Sequence, residues 1–136
     1  MHGRKRQTAP PSAEVVAASE KKASNYRKLS AIALAAKKAR KSDDGTFKVV
    51  EKLLLVNPDV HTLWNFRREM LFARCGDGEA VDVGPELALT ATCLKKNPKS
   101  YGSWHHRLWA VRRDPARAEG ELALCAEFLK LDERNF

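Results

Sequence analysis

The chain has 136 residues, 31% of them charged and 43% hydrophobic, enough for one modest core, and it carries a formal net charge of +8. No apolar run is long enough to cross a membrane and no signal-peptide pattern opens the chain, which points to a soluble cytoplasmic protein without membrane insertion. The charge is uneven: residues 1–42 hold eleven Lys or Arg against two acids, whereas residues 43–136 hold fourteen against fifteen. Arg4-Lys5-Arg6 can be read as a nuclear signal or nucleic-acid arm, or as a solvated tail. With no interleaved aromatics to stack bases, the tail is favoured and no nucleic-acid partner is expected.

In chain order, residues 1–12 read as a disordered basic tail and residues 13–42 as an amino-terminal helical segment. One long helix over about 13–41 carries Tyr26, Leu29, Ile32, Ala33 and Ala36 as a weak apolar stripe. Ser42-Asp43-Asp44-Gly45 is expected to end it, with Gly45 as the turn residue. From residue 43 the chain repeats itself. Asn57-Pro58-Asp59-Val60-His61-Thr62-Leu63-Trp64-Asn65-Phe66-Arg67 matches Asn97-Pro98-Lys99-Ser100-Tyr101-Gly102-Ser103-Trp104-His105-His106-Arg107, with Asn, Pro, Trp and Arg at the same offsets. An apolar helical run precedes each copy: Phe47, Val50, Leu53 and Leu54, then Leu87, Thr90, Cys93 and Leu94. A third run, Leu122, Cys125, Phe128 and Leu129, leads into Asp132-Glu133-Arg134-Asn135-Phe136, which matches the start of the block. Residues 43–136 therefore hold two complete units and a truncated third, and a period in this range means stacked supersecondary units.

Each unit reads as a helical hairpin. Its first helix should end at Asn57 or Asn97, since the residue before a proline is pushed out of the α region. Pro58 and Pro98 then suit the first turn of the second helix, where Trp and Arg three apart share a face. The Trp residues are expected to wedge between hairpins, and the Arg beside each to meet a carboxylate or carbonyl of the adjoining unit. A hairpin cannot bury its own stripe alone, so the units should stack into an all-α, right-handed or gently curved solenoid of the tetratricopeptide-like kind. Residues 75–85, with three glycines, read as the loop between units.

Little in the chain suggests chemistry of its own. Cys75, Cys93 and Cys125 are odd in number and lack a C-x-x-C pair; Cys93 and Cys125 occupy equivalent apolar positions and are expected to pack in cores. His105 and His106 point about 100° apart on a helix and so form no metal pair; His61 is expected to be a half-buried polar contact. Position three of the repeated block is Asp59, Lys99 and Arg134 in turn. Read as first-turn residues, Asp59 favours the helix dipole and Lys99 opposes it. That local cost makes sense if an anion sits there, with the compact ammonium of Lys99 on phosphate oxygens and the Tyr101 hydroxyl as an added donor.

The block at residues 97–107, with Asn57-Pro58, Thr62-Leu63-Trp64-Asn65, Arg67-Arg68-Glu69, the opening Met1-His2-Gly3-Arg4 and the final Asp132-Glu133-Arg134-Asn135-Phe136, resembles the protein prenyltransferase alpha-subunit family. It looks most similar to the type II geranylgeranyltransferase branch, with the farnesyl and type I branch as the alternative. The resemblance implies a helical collar around a catalytic beta subunit, inactive by itself, in a transfer of geranylgeranyl from geranylgeranyl diphosphate to carboxy-terminal cysteines of Rab GTPases presented by an escort protein. It implies that Lys99 approaches the donor's diphosphate, that Tyr101 neighbours it, and that Asn135 and Phe136 line the site, Phe136 without the hydroxyl of the usual tyrosine. It also implies a Zn2+ ion held by the beta subunit, with His2 as a candidate contributing ligand. The competing readings are a non-catalytic tetratricopeptide-like scaffold and a basic nucleic-acid-binding protein.

Overall fold

The structure, a computed structural model, describes residues 9–135. Among these there are six α-helices and no strand: α1 (Ala13–Lys38), α2 (Asp44–Val56), α3 (His61–Arg74), α4 (Gly84–Lys96), α5 (Tyr101–Arg113) and α6 (Ala118–Leu131), with a short 3-10 turn at Pro115–Arg117 before the last. Helices α2–α3 and α4–α5 form the two expected hairpins. They stack like on like, α2 against α4 and α3 against α5, and α1 lies along α2. This is the stacked helical-hairpin architecture. None of the helices is long and apolar enough to cross a membrane.

The long first helix starts where Ser12 accepts the amide of Val15 through its hydroxyl. It ends three residues earlier than expected, and the reason is a backbone motif. Arg40 takes the left-handed conformation (φ +53°), Lys41 N–H donates to Ala36 and Arg40 N–H to Lys37, which closes the helix in the manner usually reserved for glycine. Gly45 is accordingly not the turn residue: it lies inside the first turn of α2, which Asp43 caps by accepting the amide and hydroxyl of Thr46. Of the α1 stripe, Ala33 and Ala36 are buried and Tyr26 and Leu29 pack at the edge of the core, but Ile32 faces outward at 54% exposure.

The core is built from Ala33 and Ala36 of α1, Val50, Leu53 and Leu54 of α2, Leu63, Trp64, Phe66 and Met70 of α3, and Leu89 and Cys93 of α4. The repeated Asn-Pro followed by Trp has a specific cause. Helices α2 and α4 end at Val56 and Lys96 with the asparagine as cap, as expected. Pro58 and Pro98 do not enter the next helix; they sit in the turn before it, and their carbonyls accept the indole N–H of Trp64 at 2.6 Å and of Trp104 at 2.8 Å. Each Trp thereby folds its own turn back over its helix while its ring fills the interface. The wedge position requires glycine nearby: a Cβ on Gly102 would collide with the Pro58 carbonyl oxygen. Among the described residues, the proline that does occupy an α-helix's first turn is Pro85, at the start of α4.

The arginines meet the adjoining unit as expected. Arg67 of α3 donates to both carboxylate oxygens of Glu86 on α4, at 2.7 and 2.8 Å, with both side chains buried. Arg107 of α5 donates to Glu121 of α6 and to the Leu87 carbonyl and Thr90 hydroxyl of α4. Arg67 Nη1 makes no hydrogen bond; the guanidinium lies 3.9 Å over the Phe47 ring, whose face favours a cation. His106, fully buried, completes the network. Its Nε2 is 2.7 Å from Glu86 and its Nδ1 3.0 Å from Arg68, while its ring stacks between Trp64 and Trp109 at 4.3 and 5.2 Å. The neutral tautomer with the proton on Nε2 satisfies both contacts, since it donates to the carboxylate and accepts from the guanidinium.

Protonation would set an N–H of His106 against an N–H of Arg68. Burial, stronger than the pull of Glu86, holds His106 below the ordinary histidine value of 6.5. On Glu86, burial acts upward but is outweighed by the hydrogen bonds from His106 and Arg67, which hold its carboxyl below the ordinary value. Both groups bind protons more readily unfolded than folded, so the stability they contribute is present above pH about 6.5 and is lost as pH falls. We expect the urea midpoint to be flat between about pH 7 and 8 and to decline steadily below about 6.5. A midpoint that holds level down to pH 5 would contradict the assignment.

Three of the four residues in the third apolar run, Leu122, Cys125 and Leu129, are exposed and only Phe128 is buried. Cys125 and Leu122 lie on a face of α6 that no described helix covers, whereas Cys93, one unit earlier, is buried and its thiol pushed up by burial. His61, expected half-buried, is exposed at the start of α3. The loop between the hairpins runs over residues 75–83, with Gly78 at φ +82°.

Candidate functional site

Three turns line one edge of the stack, at residues 57–60, 97–100 and 132–135. All three open on the cap residue of the preceding helix, whose amide donates to the carbonyl four residues back, and the third turn combines a further bond from each of the other two. The opening side chain accepts the amide two residues on, Asn57 from Asp59 at 3.2 Å and Asp132 from Arg134 at 3.0 Å. An opening carbonyl accepts the amide three residues on, Asn97 from Ser100 at 3.1 Å and Asp132 from Asn135 at 3.0 Å. The third copy inferred from the sequence is therefore a true structural repeat up to residue 135.

Position three of each turn precedes the second helix rather than belonging to its first turn; α5 begins at Tyr101, capped by Ser100. The dipole argument for Asp59 and Lys99 thus changes. The Asp59 and Lys99 side chains each reach forward to the next repeat. Asp59 accepts from the Ser100 hydroxyl at 2.8 Å and the Gly102 amide at 3.4 Å, placing its charge at the amino terminus of α5. Lys99 Nζ lies 3.3 Å from Asp132 Oδ2, both side chains about two-fifths exposed. In the opposite direction the Asn135 amide donates to the Pro98 carbonyl at 3.2 Å.

Between the second and third turns lies a pocket of about 590 Å³ lined by Lys99, Tyr101, Trp104, Cys125, Phe128, Leu129, Arg134 and Asn135. Lys99 and Tyr101, two residues apart, are joined here by Asn135 of the third turn. Phe136 and His2 lie outside the described residues. Trp104 and Phe128 meet edge to face at 5.5 Å in the apolar wall, and Tyr101 is 81% exposed. Sequence reasoning missed Arg134 and Asp132 as site residues and assigned Trp104 and Cys125 to packing alone. The signal for Arg134 was present, since it occupies the same repeat position as Lys99.

The arrangement offers two cations, a phenol and an apolar wall, moderated by one carboxylate. It suits an amphiphile with an anionic end. Among the described residues no three His, Cys, Asp or Glu side chains converge as a metal cage. A more open groove of about 650 Å³ beside α4 and α6 has Arg107 and Glu121 in its wall, already paired with each other.

Residues 43–74 and 85–114 each match the family model described as protein prenyltransferase alpha subunit repeat. These spans cover the two hairpins. The geranylgeranyl transferase type-2 subunit alpha of Rattus norvegicus and that of Homo sapiens are each 39% identical to the chain over its full length. The corresponding protein of Saccharomyces cerevisiae is 31% identical over 86% of it. The chain spans 25% of the length of the rat and human relatives and 37% of the yeast one.

Proposed function

The chain belongs to the protein prenyltransferase alpha subunit repeat family, and from that premise we propose that it forms part of the alpha subunit of a heterodimeric type II protein geranylgeranyltransferase. The observation that carries this reading is the similarity of the whole of this chain to a quarter of the length of type-2 alpha subunits; the pocket at the turn edge supports it. In this proposal the chain is inactive alone. A beta subunit would bind the geranylgeranyl donor and hold zinc, whose chemistry is to keep the acceptor's cysteine deprotonated as a thiolate. The acceptors are Rab GTPases presented by an escort protein, and the setting is the cytoplasm.

This chain's own contribution is positional and electrostatic. The stacked hairpins hold the turn edge rigid against the partner, and Lys99 faces the diphosphate as negative charge develops on it during transfer. Tyr101 and Arg134 line the same pocket, with Asn135 fixed to the Pro98 carbonyl so that the third turn keeps its distance from the second. His2 would add one ligand to the beta subunit's zinc, which needs three or four protein ligands.

The test is reconstitution. The full-length subunit co-expressed with its beta partner should co-purify as a dimer and transfer labelled geranylgeranyl to a Rab acceptor in the presence of the escort protein. A subunit that stays monomeric in the presence of the beta chain would favour a peptide-binding scaffold, and a dimer that prefers farnesyl diphosphate would favour the other branch of the family.

A further inference from the structure

The three turns differ where their charges meet. Two open on asparagine, Asn57 and Asn97, and the third on Asp132. Position three is Asp59, Lys99 and Arg134. The one anionic opening residue therefore faces the one lysine. Both oxygens of Asp132 are engaged: Oδ1 accepts the Arg134 amide at 3.0 Å and holds the turn, and Oδ2 meets the Lys99 ammonium at 3.3 Å. Asn57 performs the first task with a neutral amide oxygen at 3.2 Å. The turn itself therefore needs no charge at its opening position, and the negative charge at 132 is there for Lys99.

We infer that Asp132 is a positioning residue that fixes the Lys99 ammonium at the pocket and weakens its hold on anions, so that a diphosphate binds there only by sharing or displacing the carboxylate. This rests on the reading of the pocket as a diphosphate contact. The carboxyl of Asp132 is held below the ordinary carboxylate range, first by the Arg134 amide and then by Lys99, and is charged at neutral pH. Arg134 has no ion pair among the described residues, so the charge of Asp132 is directed at Lys99 while its other oxygen takes the Arg134 backbone amide. By sharing the ammonium, the carboxylate lowers the pocket's affinity for anions, the free diphosphate included, and so eases product release once transfer is complete.

The experiment uses the full-length alpha subunit assembled with its beta subunit and inorganic pyrophosphate as the probe, followed by calorimetry. Asp132→Asn should tighten pyrophosphate about two- to fivefold, the range of a partly exposed ion pair, and the gain should vanish in a Lys99→Ala background. Misfolding cannot produce a gain, and the asparagine at position 57 shows that the turn accepts the substitution. If Lys99→Ala weakens pyrophosphate while Asp132→Asn leaves it unchanged or weaker, the inference is overturned and the pocket reading stands. If the gain persists without Lys99, the inference is likewise overturned. Should Lys99→Ala leave pyrophosphate affinity at the wild-type value, both fall.

Discussion

Replacing Glu86 by alanine is expected to destabilise the fold by about 3–5 kcal/mol, the usual consequence of removing one partner from a buried ion pair. The carboxylate is fully buried and shared between Arg67 and His106, which come from the helices on either side of it. Its loss leaves a guanidinium in the core with only the Phe47 face and a distant Glu51 carboxylate for company. It also strips His106 of the acceptor for its Nε2 proton. By contrast, the exposed pair between Lys37 and Glu69 spans helices too but should contribute under about 1 kcal/mol, because water screens it and the side chains are costly to order. Urea denaturation of Glu86→Ala and Glu69→Ala side by side decides the matter; comparable midpoints for the two would show that the buried network is not what joins the hairpins.

Truncating Lys99 to alanine should slow single-turnover prenyl transfer by the proposed heterodimer on the order of tenfold, at or below the low end expected for a single charge-stabilising donor. The effect stays modest because the ammonium is two-fifths exposed and already shares its charge with Asp132. Dimer assembly should be unaffected, since the side chain sits in a turn and contributes nothing to the core cluster. Gel filtration alongside the rate measurement separates the two effects. An unchanged transfer rate would remove Lys99 from the reaction.

The fold was legible wherever a residue's role is set by its neighbours in sequence. Apolar spacing placed α2 and α4, Asn-Pro ended them at the right residue, and the recurrence of Trp and Arg identified the stacking interface. Legibility failed where a long-range or backbone term decides. Arg40 closes α1 in a conformation that its side chain does not advertise, whereas Gly45 nearby carries the usual signal for a stop. Pro58 and Pro98 looked like helix starters because their missing N–H was weighed, while their carbonyls, which tether Trp64 and Trp104, leave no local signature. Glu86 is an ordinary first-turn acid in the sequence of α4, and only the stacking of three helices makes it a buried hub. At the candidate site, repeat position singled out Lys99 and, by the same rule, Arg134, whereas the forward reach of Asp59 and Lys99 to the next repeat required coordinates.

The spacing of the turns carries a separate consequence. Forty residues separate Asn57 from Asn97, and thirty-five separate Asn97 from Asp132, yet all three turns open on a helix cap whose amide donates to the carbonyl four residues back. The difference is absorbed at the far rim, in the irregular segment at 75–83 between α3 and α4, which the shorter second interval replaces with Asp114 and a single 3-10 turn. Length can therefore drift at one margin of the array while the other keeps its register. Homologous chains can gain or shed residues there with the cleft's lining intact, and a search that insists on a constant repeat length will overlook units that are structurally equivalent.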